Sequence, residues 1–396
     1  MAEIMEAKKI LILCHKPPYS TNDGGGIAMT QVLETLCASG HEVTLLSMET
    51  HKHPSKRNNI LKDFDNNTIF VDTRIRVVGV LKNLFSGKSY ILSRFDQTAF
   101  ENALIKILRS KTFDSIIFES LFTSAYLNTV QKFSKAQLIY RAHNIEHHIW
   151  DSKSRISSNT LTMIYFKLQA ERLKKEEMRF WASMPKIACI STNDALLIAK
   201  HTKAVVKTVS LYADEQFLMQ EGEGSKVDFF HLGAMDWLPN QQGMDWFLDK
   251  VWPELKEKEP DAEFHLAGRG MSQKLTKRSQ EGLFNHGEIF DTQQFLSEHK
   301  VMLVPLFMGS GIRVKIIEGM AMGKCIITTD IGRQAISCSH KENILIANNK
   351  SDFIDMMIFC LNNPTEVNRI GENARNFVRE NFSQKHVEQE LNTLLS

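Results

Sequence analysis

The chain has 396 residues, 43% of them hydrophobic, which suits two α/β domains of about 200 residues better than one oversized core. With 48 basic against 46 acidic residues, the net charge of +2 leaves no field that would make nucleic acid the main partner, so any basic surface must be local. The six cysteines lie scattered in mostly apolar surroundings without a C-x-x-C pair, which argues against zinc-finger and redox motifs and suits a reducing cytoplasm.

Lys9 to Cys14 is a short, continuously apolar run and predicts a buried parallel strand. Gly24-Gly25-Gly26 then precedes a helix over Ile27 to Ser39, closed by Gly40, and Glu42 to Met48 predicts the next strand. Residues 51 to 65 are polar and basic and read as a loop, followed by an extended run from Thr68 to Val80 and a mixed basic and apolar stretch, Leu81 to Ile91. A helix over 97 to 110, a strand over Ser115 to Phe118, a helix near 121 to 132 and a strand over Gln137 to Arg141 continue the alternation. After His143 the chain reads as helical through Trp181, carrying Lys167, Arg172, Lys174, Lys175 and Arg179. The strand Lys186 to Ile190 and a helix from Asn193 complete this half.

Between Ala213 and Lys226 the pattern breaks into Asp, Glu, Gln and Gly, with Glu221-Gly222-Glu223-Gly224 as a linker. A second series of strands follows at Asp228 to Leu232, Glu263 to Ala267, Leu283 to Ile289, Val301 to Leu306, Cys325 to Thr329 and Ile344 to Ala347, with helices between. Two alternating blocks predict an α/β chain of two doubly wound, Rossmann-like domains facing across a cleft. The expected division is 1–214, 215–378, and a C-terminal helix, 379–396, packing back across the junction. No signal peptide is visible, and no run approaches the roughly 18 apolar residues of a spanning helix. A cytoplasmic protein is expected.

The most informative stretch is Gly309-Ser310-Gly311-Ile312-Arg313-Val314-Lys315, leading into Ile316 to Gly323. It reads as strand, Gly-rich turn, helix and strand. Ile312, Ile316, Ile317, Met320 and Ala321 recur at helical spacing and give the helix a face to pack on the sheet. Gly309 and Gly311 permit positive φ and a close backbone approach to a ligand at the helix N-terminus, where α/β proteins bind phosphorylated ligands. Lys315 and Glu318, three residues apart, share a face and can address a phosphate and a ribose diol. A lone Glu on a helix is commonly a solvated charge, but its place one turn beyond the Gly-Ser-Gly turn favours a ligand. Cations at a helix N-terminus, Arg313 and Lys315, are mildly unfavourable unless an anion binds there.

Gly24-Gly25-Gly26 can also pass N–H groups to an anion, although it lacks the G-x-G-x-x-G of a dinucleotide site. Tyr140 to His148 is the most polar constellation, at the carboxyl end of a strand. His143 to His147 matches the H-x-x-E-H of some zinc peptidases, but His143 caps a strand and does not share one continuous helix with His147. A hydrogen-bonding role in the cleft is therefore preferred to zinc. The basic helix around 160 to 180 reads as a solvated face or, with Leu84, Phe85 and Tyr90, as a surface for anionic lipid.

On these residues the chain resembles the retaining glycosyltransferases of family 4, which have the GT-B fold. The resemblance runs through the N-terminal Gly loop, Arg141-Ala142-His143-Asn144-Ile145-Glu146, Gly233 to Asn240, and Gly309 through Glu318 to Gly323. It implies transfer of a sugar from a nucleotide diphosphate donor, UDP- or GDP-linked, to a carbohydrate or lipid-linked acceptor hydroxyl, with retention, no cofactor and no metal. It makes Glu318 the ribose-binding carboxylate and His143 a histidine near the transferred sugar. Gly311, Ile312, Arg313, Lys315 and Arg269 would serve the diphosphate, while Gly25, Gly26, Asn144 and Ser310 would lie near the donor sugar or acceptor. Two positions depart from the family: Ser310 stands where its first paired Glu would be, and Met235 to Gly243 carries no cation. A sugar-nucleotide epimerase or a non-enzymatic sugar-binding protein are the alternatives.

Overall fold

The computed structural model describes residues 6–18, 24–54, 64–157, 159–219, 226–309 and 311–396. Ser310, the Glu221–Gly224 linker and residues 55–63 of the polar loop lie outside the described residues. The chain divides into one compact unit of Met1–Leu211 with Val387–Ser396, and a second of Tyr212–His386. Five of the six cysteines are buried.

Among the described residues the first unit holds seven parallel strands: β1 Lys9–Cys14, β2 Glu42–Glu49, β3 Asp65–Phe70, β4 Ser115–Glu119, β5 Gln137–Ala142, β6 Lys186–Cys189 and β7 Val205–Thr208. Their order is β3-β2-β1-β4-β5-β6-β7, so the winding reverses between β1 and β4. Strands of a parallel sheet are buried on both faces and read as unbroken apolar runs. Accordingly Ile10 to Cys14 and all of β4 are buried. The register sets Cys14 beside Glu119 and Glu119 beside Arg141, which brings three strand ends to one place.

Three local expectations change. The helix after β1 runs Gly24–Ala38, so the three glycines form its first turn and are not a loop before it. Thr30 Oγ1 holds that turn by donating to the Gly26 carbonyl at 3.0 Å and also contacts the Pro18 carbonyl. The extended run to Val80 is in fact β3 followed by a helix, Val77–Leu84. Its valines favour strand, but Arg172 donates to the carbonyls of Asn83 at 2.7 Å and Leu84 at 2.8 Å, satisfying the C-terminal acceptors of a helix. Strand β7 was not expected at all; it is four residues long and never fully buried.

In the second unit the strands are β8 Phe229–Leu232, β9 Phe264–Ala267, β10 Leu283–Gly287, β11 Val301–Val304, β12 Cys325–Thr328 and β13 Leu345–Ile346, again all parallel. Their order, β10-β9-β8-β11-β12-β13, reverses between β8 and β11. The helix Val314–Ala321 buries Ile316, Ile317, Met320 and Ala321, the face expected from their spacing, whereas Ile312 precedes the helix and is half-buried. A Cβ on Gly319 would stand 2.9 Å from Met302 Sδ, so the helix lies close on β11. Helix Leu238–Trp246 approaches Pro305 so closely that a Cβ on Gly243 would stand 2.0 Å from its carbonyl oxygen. Among the described residues, no helix is long and apolar enough to cross a membrane.

Candidate functional site

In open α/β sheets the carboxyl ends of the strands at the point of reversal form the usual ligand crevice. Each unit carries a polar constellation there.

In the second unit it is built on Lys315, in the first turn of helix Val314–Ala321. Its ammonium donates to Asn240 Oδ1 at 2.7 Å and stands 3.4 Å from His231 Nε2. His231 Nδ1 lies 2.7 Å from the Leu303 carbonyl and must donate to it, which leaves the Nε2 lone pair facing Lys315. Asn240 is oriented in turn, its Nδ2 donating to the Ala234 carbonyl at 2.9 Å. Both partners are neutral. Burial, followed by the nearby Arg313, therefore lowers Lys315 to about 7. Gly233 makes room for the cluster: a Cβ there would stand 2.9 Å from Lys315 Nζ.

Arg313 precedes the helix, with its guanidinium 5.3 Å from the centroid of the Trp237 ring, and burial lowers it to about 10. Gly309 and Gly311 take φ of 112° and 80°, so the turn uses the left-handed region as expected. Glu318 is half-buried, and among the described residues nothing donates a hydrogen bond to its carboxylate. Burial, then the like charge of Asp214, raises it to about 7. Arg269 follows β9 in a turn flanked by Gly268 and Gly270, and its Nε is 3.9 Å from Asp236 Oδ1. That turn touches the one after β8: Met235 N–H donates to the Arg269 carbonyl at 2.8 Å, and a Cβ on Gly268 would fall 1.8 Å from the Gly233 oxygen.

In the first unit the centre is Glu119, at the end of β4 and only 1% exposed. Arg141, two residues before His143, donates to it at 3.2 Å, and His143 Nε2 meets its other oxygen at 2.5 Å. Burial pushes Glu119 up, but Arg141 and His143 outweigh it and hold the carboxylate below its usual range. Arg141 also donates to the Ala28 carbonyl at 3.0 Å, tying the first helix to the cluster. Burial lowers His143 despite Glu119, so the ring is neutral, protonated on Nε2 and carrying a lone pair on Nδ1. His15, from the turn after β1, packs edge-on to His143 at 6.3 Å between centroids and contacts Ser120 Oγ at 2.8 Å. Ser120 takes a φ of 75°, a left-handed conformation that turns the chain sharply out of β4.

His147 serves a different carboxylate. Glu177, fully buried on the helix Thr160–Ser183, accepts from His147 Nδ1 at 2.7 Å and from the N–H groups of Glu146 at 3.0 Å and His147 at 3.1 Å. It thereby caps the helix Glu146–Ile156. Burial, then Glu177, raises Glu146 to about 8. The two histidines of H-x-x-E-H are thus each committed to a separate carboxylate, and Asn144 lies beside them, hydrogen-bonded to the Glu146 carboxyl. Sequence reasoning missed Glu119, His15, His231, Asn240 and Glu177. Glu119 and His15 each directly follow an apolar strand run, a signal that could have found them.

The family model described as "Glycosyl transferases group 1" matches residues 226–363. A Klebsiella pneumoniae protein described as an uncharacterized 44.6 kDa protein in the cps region is 22% identical over 388 residues, 96% of this chain and 97% of that one. Sucrose-phosphate synthase from Thermosynechococcus elongatus superposes with a TM-score of 0.68 at 15% identity, covering 98% of each chain. The Anabaena protein HepE, in complex with UDP-glucose, does so with 0.64 at 11%, over 98% of this chain and 99% of that one. The fold is thus the α/β arrangement of GT-B glycosyltransferases, with two parallel sheets and interleaved helices, and the family match supports glycosyl transfer.

Proposed function

We propose that the protein transfers a sugar from a nucleotide diphosphate sugar to an acceptor hydroxyl with retention of configuration. In this reading the second unit binds the donor nucleotide and the first serves the acceptor and the reacting sugar. The observation that carries it is the pair on helix Val314–Ala321: a cation whose partners are both neutral and, three residues on, a carboxylate to which nothing described donates. A diphosphate supplies the anion that Lys315 lacks, and a ribose diol supplies two donors for Glu318. Arg313, the N–H groups following Gly311 and Ile312, and Arg269 add positive potential where charge develops on the leaving diphosphate, so transfer proceeds without a metal. His143, neutral and oriented by Glu119, offers Nδ1 to a sugar hydroxyl. Asn144, Gly25, Gly26 and Ser310 belong to the acceptor or donor-sugar side. The match over residues 226–363 supports this reading, as does HepE, a protein of like fold bound to UDP-glucose.

The acceptor is proposed to be lipid-linked and met at an anionic membrane. Val77, Val78, Leu81, Leu84 and Phe85 recur at helical spacing and are all exposed, Phe85 at 93%, while Lys82, Lys88, Lys174 and Lys175 are exposed cations. Of the expected basic face, Lys167 pairs with Asp151 at 2.7 Å, and Arg172 donates to the backbone carbonyls of Asn83 and Leu84.

Product analysis with UDP- and GDP-linked sugars labelled in the glycosyl group tests the reading. Label transferred to a lipid-linked acceptor supports it. An epimerised nucleotide sugar, or donor bound and recovered unchanged with every acceptor, overturns it.

A further inference from the structure

At the other end of the second sheet, near the amino ends of β8 and β11, three imidazoles converge. His265 lies on β9, His286 on the edge strand β10, and His299 just before β11, with one nitrogen from each within 4.8 Å of the others. His265 Nδ1 stands 3.0 Å from His286 Nε2, and the His265 and His299 rings are 4.3 Å apart between centroids. His299 Nδ1 is hydrogen-bonded to Asp228, whose other oxygen accepts from the Lys300 N–H at 2.8 Å, so the carboxylate fixes the ring. The remaining nitrogen, Nε2, is buried in a residue only 5% exposed and has no hydrogen-bond partner among the described residues. A buried ring nitrogen without a partner is costly and calls for an explanation.

We propose that His265, His286 and His299 bind a divalent transition-metal ion, Zn²⁺ by ligand type, through Nε2 in the case of His299, with Asp228 as the carboxylate that orients that ring. Nitrogens bound to Zn²⁺ at tetrahedral angles stand about 3.3 Å apart. The 3.0 Å pair is close to that spacing, and exposed His286 has room to bring the set together. The fourth position falls to water or an exogenous ligand. Because the three ligands come from β9, β10 and the approach to β11, the ion would pin the sheet edge to its centre, a role distinct from sugar transfer. Without an ion the same rings form an aromatic cluster with Phe284, stacked on His265 at 4.8 Å, and with Phe295.

The test is to strip the full chain with a chelator and titrate it with Co²⁺, a spectroscopic stand-in for Zn²⁺. We expect visible ligand-field absorption that saturates at one equivalent and is displaced by Zn²⁺, together with a Zn²⁺-dependent rise in unfolding temperature. His286→Ala, which removes an exposed side chain without disturbing the core, should weaken Co²⁺ binding at least a hundredfold and abolish the rise. His265→Ala should do the same, whereas His143→Ala should retain both. Absence of the absorption in the wild-type chain overturns the proposal. So does a signal that survives His286→Ala and His265→Ala, since the ion would then sit elsewhere.

Discussion

The two polar constellations occupy the same place in two similar sheets, yet they balance their charges in opposite ways. Around Glu119 most charges are paired: the carboxylate meets Arg141 and His143, Arg141 meets carbonyls, and Glu177 meets a helix N-terminus and His147, with Glu146 beside Glu177 the exception, its carboxyl raised to about 8. Around Lys315 the charges are not paired. Among the described residues the cation has only an amide oxygen and an imidazole, and Glu318 has Asp214 as an unfavourable neighbour. Removing one partner of a paired buried network leaves the other charge uncompensated and costs stability, while a cluster without opposite charge leaves electrostatic free energy to be released on binding. Damage to the first should therefore appear as lost stability, and damage to the second as lost ligand.

The largest effect should come from breaking the paired network. Glu119→Ala leaves the Arg141 guanidinium buried without its carboxylate and is expected to cost about 3–5 kcal/mol of stability, measured by urea unfolding. A loss below about 1 kcal/mol would mean that the network does not hold the unit together. Next comes Glu318→Ala, which should cost about 3 kcal/mol, on the order of a hundredfold, in kcat/KM. Its unfolding midpoint should hold or rise, because the carboxylate it removes is destabilised in the free protein. If the variant instead bound nucleoside, nucleoside diphosphate and donor as wild type does and kept its turnover, Glu318 would be a plain surface charge.

Lys315→Met should weaken nucleoside diphosphate by roughly 2 kcal/mol while leaving bare nucleoside unchanged, as calorimetry can show. The pH dependence sharpens the contrast. Lys315 is depressed to about 7, so it loses its proton as pH rises through 7, and diphosphate affinity falls on that side. Glu318 is raised to about 7, so it gains a proton as pH falls through 7, and the diol contact weakens on the other. Donor affinity should peak near neutrality, Lys315→Met should flatten the alkaline limb and Glu318→Gln the acid limb. In stability the signs differ: the buried ammonium destabilises the free fold below pH 7 and is relieved above it, whereas Glu318 destabilises it increasingly as pH rises from its unfolded value to 7. The smallest effect is at the membrane. The chain should sediment with anionic vesicles at low salt and release as salt rises, and Phe85→Ser should cut partitioning about tenfold. Equal sedimentation with neutral vesicles would remove the electrostatic part of that reading.

Most of the fold was legible because doubly buried parallel strands are apolar throughout and glycines punctuate them. Where burial was partial, legibility failed. Strand β7, with the sequence Val205-Val206-Lys207-Thr208, has no fully buried residue, and β3 begins in Asp65-Asn66-Asn67. The first turn of the helix Val77–Leu84, up to Val80, was read as extended because its valines spoke locally and Arg172, 88 residues from Leu84, did not. The candidate site divides the same way. Lys315 and Glu318 share one helix, so their spacing was visible. Glu119 meets His143 across 24 residues and His15 meets Ser120 across 105, through strand register, which single-sequence periodicity does not carry.

The contact between Gly233 and Gly268 has a mechanical meaning. With no room for even a methyl group between the two turns, and with Met235 bonded to the Arg269 carbonyl, the segments after β8 and β9 behave as one lever with two arms. A ligand that displaces the Gly233 to Trp237 arm is therefore expected to move Arg269 as well, which amide hydrogen exchange at both turns with and without nucleoside diphosphate would show. Exchange of either turn for one of different shape will succeed only when its neighbour is exchanged too.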